Sequence, residues 1–105
     1  MKFLCSSELI PSGNQKSFYG KAKVETWIKD NKDIFILKSY CTDILVIYKD
    51  KLYRASDTCW GDFSRTTLKH CRSFVNQYII SDVGHKKEFL ELDTININDL
   101  LLDRI

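Results

Sequence analysis

The chain has 105 residues, 44% of them hydrophobic and 29% charged, the proportions of one ordinary globular domain. That balance excludes a largely disordered chain, and the longest apolar run, Ile44–Tyr48, is far short of the roughly 18 residues that cross a bilayer. The formal net charge of +2 is unevenly spread, with 13 Lys and Arg against 8 Asp and Glu in residues 1–80, and 3 against 6 in residues 81–105.

Lys2–Cys5 suits a short strand, and Ile10-Pro11-Ser12-Gly13-Asn14 then punctuates the chain as a turn. Ser17–Ile28 reads as a strand of period two. Phe18, Gly20, Ala22, Val24 and Thr26 share one face, and Tyr19, Lys21, Lys23, Glu25 and Trp27 share the other. Asp30-Asn31-Lys32-Asp33 is a polar turn into a second strand, Ile34–Tyr40, so the two form a hairpin. Asp43–Tyr48 and Lys51–Ala55 bracket the short connection Lys49-Asp50, which extends the hairpin into an antiparallel meander.

Ser64 is a favoured N-cap type, and the following residues predict one long helix, Arg65–Ile79. Leu68, Cys71, Phe74, Val75, Tyr78 and Ile79 fall on one side, the stripe that should cover the sheet. Arg65, Lys69 and Arg72 form a second row beside it, continued by Asn76. After Ser81-Asp82-Val83-Gly84, Glu88–Ile97 is expected as a last strand, and Asn98-Asp99 as the cap of a short helix, Leu100–Ile105. The predicted fold is α+β: an antiparallel sheet of four to five strands with one helix on a face. Residues 1–80 form the domain, and 81–105 are an acidic extension packed on it or extending it.

Enzymatic chemistry is not what these residues advertise. The four cysteines, Cys5, Cys41, Cys59 and Cys71, include no Cys-x-x-Cys, and His70-Cys71 are adjacent and so point apart. The start, Met1–Ser6, lacks a signal-peptide core, which leads to the expectation of a cytoplasmic chain beginning at Met1 with reduced, mostly buried thiols. No metal, disulfide or cofactor is expected; Cys59, His70, Cys71 and His85 are the first suspects should a metal bind. A Cys59–His70 dyad is a weak alternative, and no glycine-rich phosphate loop is present.

Three segments carry a resemblance. They are Lys16-Ser17-Phe18-Tyr19-Gly20-Lys21-Ala22, Ser39-Tyr40-Cys41-Thr42-Asp43-Ile44, and the run from Trp60 to His70 with its Ser64-Arg65-Thr66-Thr67-Leu68-Lys69-His70 core. In this order, and with Phe74 four residues after His70, they resemble a family of small, functionally uncharacterised proteins of bacteriophages and other mobile elements. The resemblance covers about residues 16–78. It has a plain structural account too: Gly20 at a bulge, Tyr40 and Thr42 on one strand face, Ser64–Thr67 capping the helix, and His70 bonded to the sheet.

The resemblance implies a small protein of a bacterial host's cytoplasm that binds and disables a host protein. A nuclease component of a defence system is the favoured partner, in the manner of anti-CRISPR inhibitors. Glu88, Glu91, Asp93 and Asp99 would then face a basic groove of that partner. The alternative is direct nucleic-acid binding. Arg65, Lys69 and Arg72 on the helix, with Lys21, Lys23 and Tyr19 on the strand, would take phosphates and stack bases. The pI near 8.3 is lower than the value above about 9 usual for a committed binder.

Overall fold

The computed structural model describes residues 2–9, 21–40, 42–55, 65–78 and 86–100. Expectations for the turn at 10–14, for Tyr19, Gly20, Cys41, Cys59, Ser64, Ile79 and His85, and for a helix over 101–105 lie outside these residues.

Four strands follow in chain order: β1 (Lys2–Glu8), β2 (Ala22–Lys29), β3 (Lys32–Ser39) and β4 (Thr42–Tyr48). Next come β5 (Lys51–Ala55) and the long helix α1 (Arg65–Tyr78). The chain closes with α2 (Lys86–Leu90), β6 (Thr94–Ile95) and α3 (Ile97–Leu100). The strands form one sheet in the order β1-β2-β3-β4-β5-β6. The fold is α+β.

Tight turns make this meander. Asp30 and Asn31 have φ of 52° and 64°, and Lys49 and Asp50 have 52° and 60°. Two consecutive left-handed residues match the right-handed twist of the strands they join, so each pair sets its hairpin register. Ile28 pairs with Asp33, and Ile47 with Leu52.

Period two then sorts the side chains. Phe35 and Leu37 of β3 face α1 with Val24, Leu45, Ile47, Leu52, Cys71, Phe74 and Val75. Ile34 and Ile36 point the other way and pack with Trp27, Val46, Ala55, Ile97 and Leu100. The central strands are therefore buried on both faces. This explains why they read as nearly continuous apolar runs rather than as alternation.

Three expectations need correction. The sheet has six strands among the described residues rather than four or five, and β6 runs parallel to β5, so the sheet is mixed. Glu88–Ile97 is not one strand. Lys86–Leu90 is helical and only Thr94–Ile95 joins the sheet, through the Arg54–Thr94 and Ala55–Ile95 pairs. The last helix starts at Ile97 rather than Leu100, where the Asn96 side chain accepts the Asp99 N–H at 3.1 Å.

Residues 86–100 are built into the core. Phe89 is fully buried on the α1 face, while Ile97 and Leu100 cover the opposite one. No helix among the described residues is long and apolar enough to cross a membrane.

Candidate functional site

The end of the sheet where β3 turns into β4 gathers parts of all three sequence segments. Ala22 opens β2 and pairs with Ser39, the last residue of β3. The Tyr40 N–H donates to the Lys21 carbonyl at 2.8 Å. From above, α1 lowers His70 onto Ser39, with Ser39 Oγ and His70 Nδ1 at 2.7 Å. The Tyr40 ring lies 5.7 Å from the imidazole, centroid to centroid.

Helical spacing explains why His70 arrives here. It stands four residues before Phe74 and three after Thr67, and all three are buried on the sheet side of α1. His70 is fully buried and Ser39 only 3% exposed. Burial, and secondarily the nearby charge of Lys21, lower the His70 pKa from 6.5 to about 4. The ring is therefore neutral at physiological pH. The same burial pushes the Cys71 thiol far above the ordinary range, so it is a core thiol rather than a nucleophile.

Tyr40 differs from its surroundings. It is half exposed, and its φ is 52°, a left-handed conformation uncommon for a bulky residue. The expectation that Tyr40 shares a strand face with Thr42 therefore fails, because Tyr40 sits in the turn and only Thr42 lies in β4. The expectation that His70 bonds the sheet holds.

Lys21, Lys23 and Lys69 are exposed and make no ion pair among the described residues. Other lysines are engaged. Lys38 lies 3.1 Å from Glu25 and 3.7 Å from Asp43, and Lys51 lies 2.7 Å from Asp93. Arg72 and Asn76 are exposed on α1 beside Lys69, so these three members of the polar row face solvent. Arg65 opens the helix.

On the β2 face that carries Lys21 and Lys23, the ring of Trp27 packs inward. Trp27 is buried, donates its indole N–H to Glu25 at 3.1 Å, and packs on Phe3 with ring centroids 5.1 Å apart. It serves the second core and cannot stack bases. Sequence reasoning missed Tyr40 as the exposed ring. The signal available was its position between the strand residue Ser39 and the next strand, where a turn leaves a side chain in water.

The acidic residues are dispersed. Glu88 is half-buried, while Asp99 is exposed on α3. Glu91 lies 3.9 Å from Lys87, and Asp93 is tied to Lys51 where the chain enters β6. No group of three or more metal-ligating side chains occurs among the described residues.

Residues 7–91 match the family of unknown function DUF8033. The chain belongs to that family. The match spans β2 to α2 and takes in the whole Lys21–Ser39–Tyr40–His70 cluster. No curated protein and no solved structure gives a significant match to this DUF8033 member.

Proposed function

We propose that this DUF8033 protein acts by stoichiometric binding to a macromolecular partner, without catalysis, through the surface around Tyr40. The carrying observation is the half-exposed Tyr40 ring, fixed in a left-handed turn over a buried His70 and flanked by Lys21. Aromatic residues that keep an exposed face on a rigid support lose little entropy when a partner covers them. Lys69, the residue before His70, adds a second cation without an acidic partner among the described residues. The closure of Ser39 and His70 from solvent argues against their use as a nucleophile and base.

The resemblance to phage and mobile-element proteins supports a bacterial host protein as the partner, with a nuclease component of a defence system first in line. The acidic residues are weaker contact candidates than the lysines, since Asp93 and Glu91 already have cationic neighbours. The test is capture of host protein by the wild-type chain and by the Tyr40→Ala and Lys21→Glu/Lys69→Glu variants. A partner held in a fixed ratio by wild type, and lost with both variants while Glu91→Lys retains it, supports the reading. A partner retained by all of them removes this surface from consideration.

The lysines without an ion pair among the described residues, beside an exposed ring, also favour a second reading, direct nucleic-acid binding. Its mark is a steep loss of oligonucleotide affinity between low and physiological salt. Should bare DNA or RNA bind at physiological salt with no protein captured, that reading replaces the first.

A further inference from the structure

We propose that the sheet face turned away from α1 is a peptide-docking groove, occupied in cis by residues 93–100. These residues form a strap that opens while the rest of the domain stays folded, and the surface is separate from the one around Tyr40. Its floor is Trp27, Ile34, Ile36 and Val46, flanked by Tyr48 and Tyr53. Among the described residues, Ile97 and Leu100 are the only buried members of this cluster that come from outside the sheet. The cluster on the α1 side is built differently. All of its buried members lie between Leu9 and Phe89, inside the stretch that matches DUF8033, whereas residues 93–100 lie beyond that stretch. One core is therefore complete without the strap, and the other is closed by it.

Docking is what orders the strap. β6 has two residues and α3 has four, and neither length is stable without a surface to pack on. Leu92 packs on the α1-side cluster and Ile95 on the other, so the chain changes sides around the β5 edge. Polar contacts fasten both ends. The Arg54 N–H donates to the Asp93 carbonyl at 3.0 Å, and Lys29 Nζ donates to the Leu100 carbonyl at 3.2 Å. Lys51 Nζ lies 2.7 Å from the Asp93 carboxylate, but these side chains are 56% and 70% exposed, so the pair contributes little. A segment held by so few contacts opens before the whole domain does.

The seated strap also specifies what else the groove takes. The occupant is a partner segment with an acidic residue, two residues that extend the sheet beside β5, and one helical turn carrying apolar residues three apart. Backbone pairing at a sheet edge and an apolar helix face in a groove are general modes of peptide recognition, and this face combines them. The partner's apparent affinity is scaled by the fraction of chains whose strap is open.

Two measurements on the full-length chain test this. In native-state hydrogen exchange, the hydrogen-bonded Asp99 and Leu100 amides should open at least about tenfold more often than the amides of β3 and β4. A labelled peptide of residues 92–100, amidated at its C-terminus, is then titrated by fluorescence anisotropy. It should bind the Ile97→Ala/Leu100→Ala chain at least about tenfold more tightly than wild type, because that chain's own strap competes less. The peptide carrying the same two alanines should bind neither chain. Strap amides that exchange only at the rate of the central strands overturn the proposal. An Ile97→Ala/Leu100→Ala chain that unfolds does the same, as does one that folds and ignores the peptide. A wild-type dimer in sedimentation that this double change dissociates overturns the external partner in favour of a second copy's strap.

Discussion

Ser39 Oγ and His70 Nδ1 approach to 2.7 Å, and this contact ties the end of β3 to the middle of α1 inside the core. One consequence is a pH dependence of stability. The His70 pKa falls from 6.5 to about 4 in the folded protein because burial, with help from Lys21, disfavours the charged ring. The folded state therefore binds fewer protons than the unfolded chain between those values. Stability from this source is complete above pH 6.5 and is lost as pH falls toward about 4, by about 3 kcal/mol at most. Urea unfolding at pH 7, 5 and 4 should show the loss. His70→Asn keeps a polar group and removes the titration, so the variant's decline over that window should be shallower. Equal slopes for the two proteins would refute the assignment.

The β4–β5 turn offers a backbone test. Asp50 has φ of 60° without being glycine, in a turn type whose second position favours glycine. Asp50→Gly should stabilise the chain by about 0.5–1 kcal/mol, since relief of the left-handed strain outweighs the added freedom of the unfolded state. The urea midpoint should rise with an unchanged slope.

Thiol reactivity should separate two cysteines. Cys5 is exposed on β1, whereas Cys71 is fully buried and its thiolate strongly disfavoured. Alkylation of the reduced native protein followed by peptide mass mapping should label Cys5 within minutes and Cys71 only after denaturant is added. Early labelling of Cys71 would mean that α1 opens readily from the sheet.

Much of this fold is legible because its signals are local. The Asp30-Asn31 and Lys49-Asp50 turns separate runs of strand-forming residues, and Leu68, Cys71, Phe74, Val75 and Tyr78 mark α1 at helical spacing. The chain after Ser81 is read less well, since Lys86–Leu90 spans less than two helical turns and shows no full period. Nor does β6 reveal itself, because two residues pairing in parallel with β5 leave no alternation to detect. At the candidate site, the lysines are visible in sequence as exposed cations. The Ser39–His70 contact joins residues 31 positions apart, and only the tertiary fold brings them together. Trp27 is ambiguous for a related reason. Its alternation with Lys21 and Lys23 suits either a solvent face or a covered one, and the cover comes from Ile97 and Leu100, which return from the far end of the chain to the same core cluster.

That return yields a prediction about where stability resides. Phe89 is fully buried in the cluster that holds Phe74, Val75 and Cys71, so α2 completes the α1-side core despite its five residues. Phe89→Ala removes a buried ring and leaves a cavity, at a cost of about 3–5 kcal/mol. A domain of this size has only about 5–15 kcal/mol in total, so the variant should unfold at a much lower denaturant concentration. Glu91, two residues later, is the control. Its carboxylate is 65% exposed and lies 3.9 Å from Lys87, an exposed helical pair whose loss costs no more than about 0.5 kcal/mol. Glu91→Ala should therefore leave the unfolding midpoint almost unchanged. If Phe89→Ala is equally mild, residues 86–90 are an appendage rather than part of the core. Calorimetric or urea unfolding of the two variants beside wild type distinguishes these outcomes directly.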